Sequence, residues 1–338
     1  MKPTDFSKSL TDFLTKYLPG QRGASYHTIS SYKTTFILLL TYMKQQRRLN
    51  VNKLMLKDIT KINITAFLDW LQTERKCSNA TRNVRLSAIH SFFQFLQYES
   101  PEFLNEWQRI LSIRPKKVEK SIINYLTVDG IKLLLQQPSS ITKKGLRDLA
   151  ILSLMYDSAA RVSEIIGLTP SMVRLQKPHT IKLIGKGNKA RIVPLIDKEL
   201  LILNQYIEKN GLLNQERNNY PLFYNSRKEK LTRAGLHYIL QKYASMARKQ
   251  NGNLIPDKLS CHCLRHSKAM HLLQGGVNLV YIRDILGHDS VQTTEIYARV
   301  DSKQKRQALE KAYSDVIARE TPLWENNSGL LEWLRDFK

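Results

Sequence analysis

Apolar positions recur at helical, not alternating, intervals through most of this chain. In DFSKSLTDFLTKYL, Phe6, Leu10, Phe13 and Leu14 fall at helical spacing. SYHTISSYKTTFILLLTYMKQQ predicts a second, longer helix that ends near the basic pair Arg47–Arg48. NITAFLDWLQTER predicts a third, capped by Asn63, with Phe67, Trp70 and Leu71 inside. SNATRNVRLSAIHSFFQFLQYE predicts a fourth, capped by Ser78 or Asn79, and a shorter helix is expected from Pro101 to about Ile113.

The period then breaks. RPKKVEKSIINYL, Arg114 to Leu126, combines a proline with several lysines and reads as a linker. Thr127 caps a new helix with Asp129 in its first turn, and helical patterning resumes. The exception is HTIKLIGKGNKARIVPL, His179 to Leu195, which predicts a β-hairpin with Lys186 and Lys189 at its tip. The expected fold is mainly α with a small β-hairpin or sheet. Its expected divisions are a helical domain over 1–113, a basic linker over 114–124 and a second domain over 125–338, with a tail over 318–338.

Charge changes the picture more than composition does. The 338 residues carry 53 Lys and Arg against 29 Asp and Glu, a net charge of +24. Such an excess favours a polyanionic partner, with nucleic acid first and an anionic membrane surface second. No apolar run reaches the roughly 18–20 residues that cross a bilayer. MKPTDFSKSL lacks the apolar core of a signal peptide, so no membrane partner and a cytoplasmic location are expected. Cys77, Cys261 and Cys263 cannot close a disulfide framework. CHCLRH places cysteines and histidines together, but C-x-C is not the spacing of a zinc knuckle and no second pair completes a ligand set. No metal and no cofactor are expected.

Two clusters of basic and hydroxyl residues open the second and fourth helices: Thr28, Ser30, Ser31, Tyr32 and Lys33, then Thr81, Arg82, Asn83 and Arg85. Such groups contact phosphates and base edges in a DNA groove. Lys116 and Lys117 in the linker, and Lys189 at the hairpin tip, are further expected DNA contacts.

Candidate chemistry lies in the second domain. SAARVSEIIGL puts Arg161 at the start of a helix in apolar surroundings, where it needs a carboxylate such as Glu164 or a bound anion. HCLRH sets His262 and Arg265 three apart, on one helical face that should end at Gly275–Gly276. NLVYIRDILGH is a helix capped by Asn278 and stopped by Gly287, which delivers His288 just past its end. DSVQTTEIY starts another helix at Ser290 and brings Tyr297 round. Arginine forks suit the oxygens of a phosphodiester, and a histidine can help remove a phenolic proton before the tyrosine attacks.

In this order, ARVSEIIGL, IGKGNKARIVPL, HCLRH, ILGH and TTEIY resemble the motifs of the tyrosine recombinases, the phage-integrase family. The resemblance implies a two-domain, C-shaped DNA clamp: a helical, SAM-like core-binding domain and a mixed α/β catalytic domain. It implies Tyr297 as nucleophile, Arg161 and Arg265 as phosphate clamps, His262 assisting removal of the Tyr297 proton, His288 bonded to the phosphate, Lys186 as general acid and Glu164 in support. SAA precedes Arg161 where many members have threonine–glycine–leucine, a variation not expected to affect the chemistry.

The implied reaction is cleavage and rejoining of double-stranded DNA through a 3′-phosphotyrosyl intermediate and a Holliday junction. The implied assembly is a homo-tetramer on two duplexes, with the apolar tail (Leu330, Leu331, Trp333, Leu334, Phe337) docking on the neighbouring protomer. Integration, excision or transposition of a mobile element is the expected role. A chromosome-dimer resolvase of Xer type and a type IB topoisomerase-like nicking-closing enzyme are the alternatives, and a second recombinase or accessory protein remains an open partner.

Overall fold

The computed structural model describes residues 2–118, 123–300 and 334–335. The chain divides into two compact units, Met1–Ser121 and Ile122–Lys338. Among the described residues no helix is long and apolar enough to cross a membrane.

The first unit is helical. Helix α1 (Asp5–Asp12) is capped by Thr4 and continues in wider π-type turns over Phe13–Gln21. Then follow α2 (Tyr26–Gln45), α3 (Lys61–Thr73), α4 (Asn79–Glu99) and α5 (Leu104–Leu111). Ser78 caps α4, its hydroxyl accepting from the Thr81 amide. The cap of α3 differs from expectation. Thr60 Oγ1 takes the Asn63 amide at 3.3 Å, which starts the helix three residues earlier. Asn63 instead ties the preceding loop: its Oδ1 accepts from Arg47 Nε at 2.9 Å and its Nδ2 donates to the Asp58 carbonyl at 2.8 Å.

Aromatic rings form the centre of this unit. Phe92 is fully buried and meets Phe13 at 5.2 Å and Phe36 at 5.1 Å, edge to face in both cases. Phe6 and Phe93 close the cluster at 6.0 and 5.5 Å. Because Ile89, Phe92, Phe93 and Leu96 repeat at three- and four-residue intervals, one face of α4 packs against its neighbours, Phe92 reaching α1 and α2 and Phe93 reaching Trp107 of α5.

The second unit begins with α6 (Val128–Leu135), capped by Thr127, then α7 (Lys143–Asp157) and the short α8 (Val162–Gly167). Strands β1 (Val173–Arg174), β2 (Thr180–Ile184) and β3 (Ala190–Pro194) form an antiparallel sheet in chain order. Its register pairs Ile181 with Val193 and Leu183 with Arg191. The expected hairpin is β2–β3; β1, at two residues, is too short to leave a period of its own. Helices α9 (Asp197–Lys209), α10 (Arg233–Gln250), α11 (Cys261–Gln274), α12 (Leu279–Leu286) and α13 (Glu295–Val300) complete the described part.

Helix α7 buries most of its length at the centre of the core, and α11 lies against it. The two are also joined by polar contacts: Lys268 pairs with Asp157 at 2.9 Å, and Tyr156 Oη meets His271 Nδ1 at 2.9 Å. A smaller apolar cluster (Ala159, Ala269, Met270, Leu273, Ile282, Leu286) gathers the ends of α7, α11 and α12 around Tyr297.

Truncating Phe92 removes the ring shared by the first unit's packing partners. Phe92→Ala is expected to cost about 3–5 kcal/mol in that unit, read as a lower denaturant midpoint for its unfolding.

Candidate active site

A helix N-terminus places the first site residue. Arg161 sits at the N-cap of α8, where its backbone amide donates to Glu164 Oε2 at 2.7 Å. The side chain returns to the same carboxylate, Nη1 donating to Oε1 at 2.9 Å, while Nη2 donates to the Gly287 carbonyl at 3.1 Å. Glu164 is buried and takes a second, two-pronged partner: Arg191 Nη1 and Nη2 donate to its two oxygens at 2.7 and 2.8 Å. Burial alone would raise the Glu164 pKa. The Arg191 and Arg161 bonds outweigh it and hold the carboxyl below its ordinary value.

Arg191 was not expected from the sequence. It occupies β3 two residues before Val193, on the same face of the strand, and its Nε donates to the Ile285 carbonyl at 2.8 Å. It also packs under the turn at Gly287. That residue has φ +62°, and a Cβ there would stand 3.0 Å from Arg191 Cδ and Nη1, so glycine meets both the left-handed backbone and the close approach.

Arg265 is 1% exposed, and its guanidinium spans two chain turns. Nη1 donates to the Ala159 carbonyl at 2.7 Å and Nη2 to the Leu286 carbonyl at 2.6 Å. Burial, with Arg161 and Arg191 nearby, lowers its pKa to about 10, so it stays charged at neutral pH. Ala159 itself has φ +49°, a left-handed conformation, and it is the middle residue of the SAA that stands where many members of the resembled family have threonine–glycine–leucine.

His262 and His288 fall beside these guanidinium groups. His288 follows the left-handed Gly287, and its Nδ1 lies 3.0 Å from Thr294 Oγ1. Burial and the charges of Arg265 and Arg161 lower it to about 4. His262 is exposed at its edge, and partial desolvation with the Arg265 and Arg161 charges lowers it as well. Both imidazoles are therefore neutral at pH 7.

Tyr297 is 1% exposed, on α13. Burial raises its hydroxyl to about 12, against the opposing pull of Arg265 and Arg161. The histidine in contact with that hydroxyl is His266, one turn after His262: its Nδ1 lies 2.8 Å from Tyr297 Oη. Sequence reasoning had paired His262 with the phenol and passed over His266. Its signal was the second histidine of HCLRH, at i+4 from His262 and so on the same side of α11. The two imidazole rings meet edge to face at 4.6 Å.

Arg161, Glu164, His262, Arg265, His288 and Tyr297 thus come together. The backbone of Lys186 forms the tight turn at the hairpin tip, with Gly187 at φ +70°, and its side chain lies outside the described residues. Lys189 is exposed and pairs with Asp289. Among the described residues no three His, Cys, Asp or Glu side chains converge as metal ligands do.

The expected DNA contacts of the first unit are placed unevenly. Lys33, Lys116 and Lys117 are exposed, and Thr28, Ser31 and Tyr32 are half-buried. Tyr32 also stacks on Phe13. Asn83 holds the linker, accepting from the Lys116 amide at 3.0 Å and donating to its carbonyl at 2.7 Å. Arg85 Nη1 donates to the Ser31 carbonyl and to Thr35 Oγ1, which ties α4 to α2. Arg82 is turned inward, only 4% exposed, because its place on α4 falls on the packed side of the helix and not on the solvent side.

Residues 124–304 match the phage integrase family, and residues 11–100 match the phage integrase N-terminal SAM-like domain. The integrase/recombinase y4rC of Sinorhizobium fredii is 35% identical over 323 residues, 95% of this chain and 96% of its own. Tyrosine recombinase XerC of Thermodesulfovibrio yellowstonii is 32% identical over 308 residues, 90% of this chain and 95% of its own. The chain belongs to the phage integrase family. As a tyrosine recombinase it shares its fold with the XerH site-specific recombinase bound to its difH substrate before cleavage, at TM-score 0.65 and 24% identity, over 89% of this chain and 84% of that one. It shares the fold too with the Tn1549 transposon integrase in complex with transposon right-end DNA, at TM-score 0.66 and 12% identity, over 88% and 97% of the two chains. Those likenesses carry the architecture; the chemistry of this recombinase rests on its own side chains.

Glu164 supplies the buried negative charge that Arg161 at the start of α8 and Arg191 of β3 share. Glu164→Gln is expected to destabilise the recombinase by about 3 kcal/mol, since both guanidinium groups stay behind unpaired. A carboxyl held below its ordinary pKa contributes stability above the unfolded value, about 4.3, and that share is lost as pH falls. The melting temperature of the wild type should therefore drop on acidification below that pH more steeply than that of Glu164→Gln.

Proposed function

We propose that this recombinase cuts and rejoins double-stranded DNA at a specific site, Tyr297 attacking the scissile phosphorus to form a 3′-phosphotyrosyl bond and free a 5′-hydroxyl. The observation that carries the reading is the convergence of Arg161, Arg265, His262 and His288 beside the buried Tyr297, with one carboxylate among them already engaged by arginines. Such a pocket has room in its charge balance for an anion. The two guanidinium groups clamp the non-bridging oxygens and gain as charge develops in the pentacoordinate transition state. His262 and His288, neutral at rest, turn a ring N–H to the phosphate, and a histidine of the pocket takes the phenolic proton. Lys186, on the hairpin tip, gives a proton to the departing 5′-oxygen, with Lys189 as its neighbour.

Bond energy is kept in the phosphotyrosyl link, so the free 5′-hydroxyl of a second duplex can reverse the step without an external energy source. Repeated in pairs by four protomers on two duplexes, this passes through a Holliday junction. The net charge of +24 favours the polyanionic substrate. Lys33, Thr28, Ser31 and Tyr32 of α2 and Lys116 and Lys117 of the 114–124 linker contact the duplex, with Asn83 and Arg85 beside them. Arg82 joins that set only by turning outward. The apolar tail with Leu330, Leu331, Trp333 and Phe337 lies outside the described residues; of that cluster Leu334 alone is described, and it is exposed. Docking of the tail on the neighbouring protomer would complete the tetramer.

Movement of a mobile element is the role we favour, since y4rC, alike over nearly its whole length, bears an integrase/recombinase name and the tail extends beyond the tyrosine. The relatives named XerC and XerD at 30–33% identity keep chromosome-dimer resolution as a second reading, one that involves a second recombinase. A purely topoisomerase-like role leaves the tail unused.

The test is covalent capture in EDTA on a nicked duplex chosen from a randomised library by the wild-type protein. The expected result is a protein–DNA band on a denaturing gel that Tyr297→Phe abolishes. A band retained by Tyr297→Phe overturns the assignment of the nucleophile, and a band dependent on a divalent ion overturns the metal-free reading.

A further inference from the structure

We propose that His266 is the catalytic base of this recombinase, its Nδ1 taking the phenolic proton of Tyr297 as the oxygen attacks phosphorus. The inference rests on Tyr297 as nucleophile and adds to it the group that activates it. The motif pairing of His262 with that proton does not match the geometry. His266 Nδ1 is 2.8 Å from Tyr297 Oη, whereas His262 stands one helical turn earlier, exposed, with its ring T-shaped to that of His266. A base must reach the proton it removes, and among these two imidazoles only His266 does.

The step balances. The Tyr297 O–H bond breaks toward His266 Nδ1, the Oη–P bond forms, the P–O5′ bond breaks, and O5′ takes its proton from the cationic side chain proposed as acid, Lys186. To accept at Nδ1, the resting imidazole carries its hydrogen on Nε2.

Electrostatics explains why the free protein does not ionise its own tyrosine. Among the described residues three groups act on the imidazole: His262 and Arg265 from its own helix and the phenol from α13. Burial and the first two push His266 down to about 4, while burial pushes Tyr297 up to about 12. The proton therefore stays on oxygen and the hydrogen bond runs from phenol to imidazole. A phosphodiester seated on Arg265 and Arg161 brings a negative charge that offsets the Arg265 repulsion at the ring. Basicity then rises at the moment phosphorus is in place, so the nucleophile is armed by substrate and shielded without it.

The experiment uses the full chain and the library-selected nicked duplex, made with either oxygen or sulfur at the bridging 5′ position. Sulfur leaves without a proton, so it isolates activation of the nucleophile from protonation of the leaving group. His266→Ala is expected to slow single-turnover capture about 10²–10⁴-fold on both duplexes. Its rate should then climb about tenfold per pH unit between pH 7 and 9.5, as hydroxide ionises the phenol, while the wild-type rate stays flat. His266→Asn keeps an acceptor atom but cannot hold a proton, so it should behave as His266→Ala does. It also decides the matter should the alanine variant fail to fold by thermal melting.

Wild-type rates in both variants overturn the proposal. So does a pH-independent loss that asparagine restores, which marks a hydrogen bond that only positions the ring. In either case Tyr297→Phe still abolishes the band, which separates failure of the base from failure of the nucleophile.

Discussion

Three guanidinium groups gather near one buried carboxylate that pairs with only two of them, and the rest of the site is arranged around that imbalance. Glu164 accepts from Arg161 and from both terminal nitrogens of Arg191, and its side chain is wholly removed from water. Arg265 has no share in it; its partners are two backbone carbonyls, which are dipoles and not charges. An isolated buried cation is expensive, so a fold keeps one only where packing and hydrogen bonds hold it in place. Here the chain just past α7 and the end of α12 do so, presenting the Ala159 and Leu286 carbonyls to Arg265 on α11. The positive field left over is one that an anion would neutralise.

That field sets the protonation of everything near it. His262, His266 and His288 are each lowered, first by desolvation and then by neighbouring positive charge, that of Arg265 and Arg161 at His262 and His288 and that of His262 and Arg265 at His266, and so arrive at neutral pH uncharged. A neutral imidazole can accept a proton or donate a hydrogen bond, whereas an imidazolium could only donate. The same arginines pull the Tyr297 hydroxyl down while burial pushes it up, and burial prevails. One set of cations therefore both leaves the pocket positive and keeps its imidazoles unprotonated, and the low dielectric of the apolar cluster around Tyr297 magnifies both effects.

Much of this was legible in the sequence because helix ends leave local marks. Asn278, Gly287 and Ser290 bracket α12 and the turn after it as their residue types require, and that alone aims His288. The i, i+3 spacing of His262 and Arg265 put them together before any fold was known. Arg191 was missed because its mark is non-local: an arginine on the inward face of a strand reads as a core violation until Glu164, 27 residues earlier, is seen opposite it. His266 was missed because the sequence specifies which residues share a side of α11, but not which of them α13 covers. In the first unit the polar residues at the starts of α2 and α4 looked alike, yet Arg85 and Asn83 spend their hydrogen bonds inside the fold while Lys33 does not bury its charge. Whether a polar side chain turns inward is a tertiary matter.

Ala159 shows how stability and chemistry meet in a single residue. A left-handed backbone costs an alanine on the order of 1 kcal/mol more than a glycine. Its methyl group, however, lies fully buried in the cluster that packs Tyr297, and burying a carbon of that size returns a similar amount, about 0.8 kcal/mol. The backbone must bend this way because the Ala159 carbonyl has to face Arg265 while the next two residues start α8 and present Arg161. A straighter exit from α7 would point that carbonyl elsewhere and leave the Arg265 guanidinium with one partner in a dry interior. The strain at Ala159 is thus the local cost of holding Arg161 and Arg265 in one pocket, and the side chain that occupies the position offsets it by packing in the cluster around Tyr297.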